Sequence, residues 1–565
     1  MSLFGSIQMA GNTLQAMQLG LHVVGNNIAN SNTPGYIRER TIYTTAPVQR
    51  KGNLSIGLGV QIAGIVQSVD RFMVDRLRNA GSDRASADVQ DGVYRDLQSI
   101  LGELSDTDIS TQTANFFNSI NQILDYPDDI AMRNLAVQSG KTLATSVNAM
   151  HRRVATVYTD LSKQVDNLTR EINTLSNQVA KLNLQIVTLE GGNATGSEAG
   201  GLRSQRDAAL QRLAEIADVK ISEGHTGAAN VSLAGEFLVF EGTRRQVETQ
   251  FGAENGLQTA KIRFSDNNSS LRVGGGELHG YYEARDSIVG KFLDRLDEFA
   301  GSLAAEFNKI YSQGQGLSGF KSITSVNRVS DPGATLDEAG LAVTPTTGDF
   351  DLLVRNSVSG LTETHAVHVD LNGIDGDDTL ASIAEKLSAI NGVTAFVTSD
   401  NRLSIQAASA DNQIAFSGDT SGVLAALGIN TFFTGSKASD LAVNEILVAD
   451  GSKFAASDAG IGAGTENAVK LVALHDQSLD SLNGNTVTGV YDQLINDTTQ
   501  GATVAKAVAE GFRVFEGTLQ AAVQETSGVN LDEEAIDMIM LQRTYQASAK
   551  YIATISELLD VLVAL

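Results

Sequence analysis

LFGSIQMAGNTLQAMQLGLHVVGNNIAN, Leu3 to Asn30, decides how this chain is built. Leu3, Ile7, Ala10, Leu14, Met17, Leu21, Val24 and Ile28 follow one another at alternating spacings of four and three. A strict alternation of that kind puts every member on one narrow seam of a helix, the geometry by which helices pair side by side. The stretch contains no Asp, Glu, Lys or Arg, and its other faces carry Gln, Asn, Ser, Thr and Gly. A surface helix normally covers those faces with charge, so this one is expected to be surrounded by protein or to face something indifferent to charge. Gly5, Gly11 and Gly20 interrupt it, each costing about 1 kcal/mol relative to Ala. Such a helix scarcely forms alone, which favours packing between subunits over a bundle within one chain.

The rhythm returns at the other end. Met538, Leu541, Tyr545, Ser548, Ile552, Ile555, Leu559 and Leu562 alternate three and four. This seam is the expected antiparallel mate of the first. Gly528 closes the preceding helix, and Asn530 with Glu533 three residues later is placed to cap the last one. Between the ends, Tyr36 to about Val69 reads as short strands. A helical region starts near Asp83 and is interrupted at Tyr126-Pro127. Asp128 to Leu189 is the strongest helix, with Val147, Val154, Tyr158, Leu161, Val165, Leu168, Ile172, Leu175, Val179, Leu182, Ile186 and Leu189 in register. About sixty residues of helix span roughly 90 Å, too long for a compact core, so a rod packed lengthwise on partner helices is expected. Gly191-Gly192 ends it, and Leu202 to Ile216 supplies an antiparallel neighbour. Val219 to Val273 reads as strands, and Tyr281 to Ile310 as a helix. Lys321 to Ser436 alternates as strands around one helix, Thr379 to Ile390, and helical patterning resumes at Thr465.

The expected class is therefore an α+β multidomain protein: paired N- and C-terminal coiled-coil helices, a long α-helical rod in the middle, and a β-rich inserted outer domain. Residues 1–68 with 525–565 would form the terminal assembly domain. Residues 69–318 with 440–524 would form the long-helix domain, including a β-rich part at 219–273, and residues 319–439 the outer domain.

Sixty-six acids against 41 bases give the 565-residue chain a net charge of −25. A polyanion is repelled by nucleic acid and by anionic membrane surfaces, so neither is expected as a partner. The chain has no cysteine, which excludes disulfides, thiolate zinc sites and cysteine catalysis. No cleavable signal peptide and no apolar run long enough to span a membrane are visible. Gly314 to Gly319 matches GxGxxG but follows a helix and opens a loop, the reverse of a dinucleotide site. His365 and His368 fall on opposite faces of a strand. In the acidic turn Asp370–Asp378, Ile374 occupies the place of the third calcium ligand. No catalytic constellation, cofactor site or metal site emerges, and no enzymatic activity is expected.

Asn26-Asn27-Ile28-Ala29-Asn30-Ser31-Asn32-Thr33-Pro34-Gly35-Tyr36 resembles the motif that follows the first helix of bacterial flagellar rod, hook and hook-associated proteins. Ser527-Gly-Val-Asn-Leu-Asp-Glu-Glu534, Leu541-Gln-Arg-Thr-Tyr-Gln-Ala547 and Ser421-Gly-Val-Leu-Ala-Ala-Leu-Gly428 are also similar to that family. The length and the long middle helices match its hook-associated members better than its shorter hook and rod subunits. The resemblance implies a structural part of the flagellum, exported unfolded through the flagellar channel and placed outside the cell. It implies a ring of identical subunits at the hook–filament junction, needed for filament assembly. The implied partners are the hook subunit, a second junction protein or flagellin, and an export chaperone on the C-terminal helix. Terminal helices line the inner tube in this family, where an uncharged wall bearing Gln8, Gln15, Gln18 and Asn26 would not trap passing chains. The alternatives are a hook or rod subunit and, in a different class, a secreted coiled-coil adhesin.

Overall fold

The computed structural model describes residues 3–51, 54–102, 108–191, 196–254, 256–374 and 376–564. In chain order, α1 (Leu3–Ala29) leads into four strands, β1 (Glu39–Thr45), β2 (Val48–Lys51), β3 (Leu54–Gly57) and β4 (Val60–Gln67). Four helices follow: α2 (Arg71–Gly102), α3 (Ile109–Asp125), α4 (Ile130–Glu190) and α5 (Gly200–Ile216). Next come β5 (Val219–Glu223), β6 (Ala229–Leu233), β7 (Glu236–Phe240), β8 (Thr243–Arg244), β9 (Val247–Glu254) and β10 (Leu257–Phe264). A helix then runs as α6 (Gly276–Tyr282), a π-helical stretch (Glu283–Val289) and α7 (Gly290–Tyr311). The β-rich block holds β11 (Ser322–Thr324), β12 (Gly348–Asn356), β13 (Thr362–Val369), α8 (Leu380–Ser388), β14 (Val393–Val397), β15 (Leu403–Ala407) and β16 (Asn412–Ser417). Short elements α9 (Val423–Leu427), β17 (Phe433–Thr434), β18 (Ala442–Val443), α10 (Glu445–Ala449) and α11 (Glu466–Ala473) precede α12 (Val487–Ser527) and α13 (Leu531–Ala564). This is a mixed α/β multidomain chain with long helices at both ends and β-rich insertions.

The chain divides into two compact units. The first comprises residues 1–93, 158–287 and 503–565. Its main core lies between the long helix and a β layer. Val165, Ile172 and Val179 of α4 and Leu210 and Leu213 of α5 meet Val231, Leu233, Val239, Ala260, Ile262 and Phe264 from the strands. The expected helical seam is buried from Val154 to Ile186, with Leu175 half-buried, whereas Leu189 is 64% exposed. The rod is thus covered by sheets β5-β6-β7-β8 and β9-β10 as well as by a partner helix. The strands alternate inward apolar with outward polar residues, as in the buried–half-buried pattern of β6, and that period gives them one face to lay on the helix. Of the Gly pair expected to end the rod, Gly192 lies outside the described residues.

α2 starts twelve residues before the expected Asp83. Its start is set by Asp70, whose carboxylate accepts from the Met73 backbone N–H at 3.2 Å, an N-cap that the weak apolar rhythm beyond it obscured. The helix expected from Tyr281 to Ile310 contains the π-helical stretch. There Arg285, almost fully buried, donates to the Ala260 carbonyl at 2.7 Å and pairs with Asp286.

The second unit comprises residues 94–157 and 288–502. Two three-stranded sheets, β13-β12-β16 and β11-β15-β14, enclose with α8 a core that includes Leu352, Leu380, Leu387, Ile405, Ile414 and Phe416. Thr379 caps α8 through a box closed by Ser382. A separate aromatic core joins Phe116 and Phe117 of α3, Phe307 and Tyr311 of α7, and Phe432, Phe433 and Phe454. Asn308 fixes the incoming Phe pair: its side-chain oxygen accepts from both backbone N–H groups at 3.0 Å and its amide donates to the Phe433 carbonyl at 2.8 Å. Phe307 is fully buried and touches five other rings of this cluster. Phe307→Ala should therefore destabilise the second unit by about 3–5 kcal/mol, measured as a lower denaturant midpoint with unchanged slope.

Candidate assembly site

The terminal layer of the first unit is built from α1, α13 and the ribbon β1–β4, and its geometry begins at the Asn-rich segment. Tyr36 N–H donates to the Thr33 carbonyl at 3.1 Å across Pro34-Gly35. Gly35 has φ +74°, so Pro at the second and Gly at the third position form a type II turn. Upstream, the Asn30 amide folds back on the Asn26 carbonyl at 3.0 Å, and the Thr33 hydroxyl donates to Asn30 at 3.2 Å. The turn swings the Tyr36 ring over the helix end, where its hydroxyl donates to the Asn27 side-chain oxygen at 2.9 Å.

Asn27 is 1% exposed and all its hydrogen-bonding capacity is used. Its oxygen also accepts from the Glu39 N–H at 3.0 Å, while its amide donates to the Glu39 carbonyl at 2.9 Å and to the Glu534 carboxylate at 3.1 Å. The side chain thereby pairs with the first residue of β1 as a neighbouring strand would and reaches α13 with its remaining proton. Arg38 closes the junction: it lies 2.6 Å from Glu534, 2.9 Å from Glu533 and 3.6 Å from Asp537. Its backbone N–H donates to the Ser527 carbonyl at 2.9 Å. The acids occupy the first turns of α13, where the helix dipole favours negative charge. Asn530 caps α13 as expected, accepting from the Asp532 N–H at 3.0 Å, while Glu533 turns to Arg38.

Burial pushes the Tyr36 phenol up to about 12, with the Glu39 and Glu534 carboxylates adding to the effect. Burial also raises the Glu39 carboxyl; Glu198 adds to that rise, and the Asn26 amide and His22 oppose it.

Beyond this knot α1 and α13 run antiparallel, Asn27 facing Glu534 and Gly20 facing Leu541. A Cβ at Gly20 would come within 2.4 Å of the Tyr43 hydroxyl and 3.3 Å of Leu541. This glycine lets ribbon and helix close on α1. Ala16, Met17, Val24 and Leu541 form the shared core, with Leu21, Ile28, Val60, Ile62 and Met538 packed at its edge.

The two seams are brought together with uneven cover. Met17, Val24, Leu541 and Ile555 are buried; Leu3, Ile7, Leu14, Leu21, Ile28, Met538, Ile552 and Leu559 are half-buried; Tyr545 is exposed. The Leu562 side chain lies outside the description. In the motif, Asn26, Asn30 and Tyr36 are half-buried and Thr33, Pro34 and Gly35 exposed. A second apolar stripe on α13 was missed: Ile536, Met540, Tyr551, Leu558 and Val561 are between 42% and 66% exposed. Its spacing is helical but Arg543 and Ala547 interrupt it, so the stronger seam masked it. The Asn27–Glu534 bond carries no local signal, because its partners are 507 residues apart.

Elsewhere the chemistry-bearing candidates have structural partners. Asp378 accepts from Ser382 at 2.7 Å, the Asp370 N–H at 2.7 Å and Lys386 at 2.6 Å; Asp375 of that turn lies outside the described residues. His368 pairs with Asp349 at 2.8 Å. Gly314, Gly316 and Gly319 press against Asn467, Lys453 and Gln413 as packing positions. Among the described residues no group of three or more His, Cys, Asp or Glu is placed to hold a metal ion.

A helical layer knotted from both chain ends is the architecture of a structural assembly protein, and comparison with known proteins agrees. Residues 94–323 match the family model for the flagellar hook-associated protein FlgK helical domain. Residues 7–36 match the flagella basal body rod protein model, and residues 520–565 the flagellar basal body rod FlgEFG protein C-terminal model. The chain belongs to the bacterial flagellar rod, hook and hook-associated family, the structural proteins of the flagellar axis. It is 24% identical to the flagellar hook-associated protein 1 of Escherichia coli K12, over 99% of both chains. It is 23% identical to that of Salmonella typhimurium LT2, over 98% of this chain and 99% of the relative. A solved structure, the flagellar hook junction protein FlgK from Burkholderia pseudomallei, aligns at a TM-score of 0.49 with 15% identity, covering 80% of this chain and 99% of that one.

The knot can be titrated. Folded Tyr36 keeps its proton up to about pH 12, whereas an unfolded tyrosine loses it near 10. The raised pKa stabilises the fold below pH 10, and that contribution is lost as pH rises from 10 to 12. Asn27→Ala leaves the Glu39 peptide and the Tyr36 hydroxyl without this partner, costing about 1–3 kcal/mol per orphaned group, while Glu534 keeps Arg38. In an ultraviolet tyrosine titration Tyr36→Phe should remove one late-titrating phenol.

Proposed function

We propose that this chain is the subunit of a ring at the junction between hook and filament, and that filament growth requires it. The supporting relatives are two proteins named hook-associated protein 1 that match it end to end. The observation that carries the reading is the second apolar stripe of α13, Ile536, Met540, Tyr551, Leu558 and Val561, left open beside a core of only four buried side chains. So small a core does little to order two helices of 27 and 34 residues, and copies packed around it would bury the stripe. α1 and α13 then act as an antiparallel coiled coil within residues 1–68 and 525–565, whose seam residues pack between subunits. The knot holds the base of the pair, and the distal halves complete their packing on incorporation. Before assembly the open stripe is the surface an export chaperone would shelter, and after export the subunit stands outside the cell between the hook and a second junction protein or flagellin.

Gln8, Gln15 and Gln18 are exposed on α1, whereas Asn26 is tied into its own turn. We assign the three glutamines to the wall of the channel, where their neutrality lets chains of either charge pass. Gln15→Lys with Gln18→Lys should slow export, giving shorter filaments by electron microscopy; filaments of normal length would remove the glutamines from the wall. Loss of the whole protein should leave hooks without filaments, whereas loss of a hook subunit leaves no hooks.

A further inference from the structure

The terminal layer carries a charge asymmetry that one chain leaves unused. Residues 37–69 hold Arg38, Arg40, Arg50 and Lys51 against Glu39 alone, a positive island in a chain of net charge −25. Arg38 is engaged with α13. Arg50 is exposed and has no ion-pair partner among the described residues. It shares a strand face with Val48, two residues away in β2, which is 66% exposed. β2 and β3 pair with each other alone, and a two-stranded hairpin is marginal until something packs on it.

The complementary feature lies at the turn from α12 to α13. Glu525 stands in the last turn of α12, at the negative end of the helix dipole, where an acid is unfavourable. It is exposed and unpaired among the described residues, as is Asp532 across the turn. Among the described residues nothing rewards the carboxylate at that position.

The chain does not bring the two features together. The ribbon base sits beside Asn27, and there Arg38 and Ser68 bond Ser527 and Thr526, which fixes the α12–α13 corner at that end. From the base the ribbon runs along α1 toward its start: Tyr43 lies at Gly20, Leu58 accepts from Asn12, and Gly59 lies at Met9. The helix from Asn27 to Met9 is roughly 27 Å long at about 1.5 Å per residue, and Ala46 pairs with Gly59 beside Met9, two and four residues before Val48 and Arg50. That places Val48 and Arg50 toward the end of the layer remote from the acidic corner.

We propose that Val48 and Arg50 of one copy dock on the Glu525–Asp532 corner of a neighbouring copy in the junction assembly, an inference that rests on the ring reading. The contact is head-to-tail, the kind that builds rings and helical tubes because it does not close on two copies. Val48 supplies the apolar contact, and the charge pair fixes register and excludes misaligned neighbours.

The absence of native cysteine makes a clean test. The full chain carrying Arg50→Cys and Glu525→Cys is expressed in place of the native protein, and isolated flagella are mildly oxidised. A ladder of disulfide-linked multimers, lost on reduction and absent from both single variants and from unassembled double variant, is the expected result. Monomer alone, from flagella that contain the double variant with both thiols reactive, overturns the contact. If the native chain is itself absent from isolated flagella, the ring reading fails and this contact falls with it. As an independent arm, Arg50→Glu should lower the fraction of filament-bearing cells severalfold, and adding Glu525→Lys should restore it to within about twofold. Absence of any restoration also overturns the proposal.

Discussion

A buried amide must have its bonds made inside the protein, and around Asn27 that requirement organises the whole terminal layer. Its four bonds join the end of α1, the tyrosine of the turn, the first residue of the ribbon and the first turn of α13. Each partner exists because another element delivers it: the type II turn brings Tyr36, Arg38 neutralises Glu534, and Asn530 starts α13 where its acids can meet both. A low-dielectric site strengthens such bonds and penalises any one left unmade. Helix pairing elsewhere in the layer rests on a few small and medium side chains, so the polar knot fixes its register.

The two units solve the problem of a core differently. In the first, the part of the 61-residue helix from residue 158 to 190 offers one long apolar seam, and sheets and a helix are laid on it. In the second, two small sheets enclose their own aliphatic core, and a cluster of aromatic rings closes around Phe432 and Phe433. The terminal layer has neither device. Its shared core is the cluster of Ala16, Met17, Val24 and Leu541, small beside the other two among the described residues.

Period and local chemistry made much of this legible. The seam from Val154 to Ile186 is where spacing put it, α5 follows it, and Thr379 caps α8. The family motif marked the place of the knot, and the resemblance it carried agrees with the matched family models. The missing parts share one physical cause, that they depend on partners distant in sequence. Asn27 reads as one of several turn-forming asparagines until Glu39 and Glu534 are beside it. The β layer over α4 is invisible from the helix, whose seam looks the same beneath a sheet or a helix. The second stripe of α13 was hidden because Arg543 breaks its apolar rhythm, and α2 because its early turns are rich in Arg and Asp.

The bond from Asn27 to Glu534 closes a loop of nearly the entire chain. Contacts so far apart in sequence form late, because loop closure and the ordering of everything between must come first. The two large cores need nothing from the last 35 residues, since their members end well before α13. A chain truncated ahead of α13 would still build both cores, but Asn27 would lack its carboxylate and α1 its mate. The knot therefore requires both the first and the last segments of this sequence, which the two cores do not.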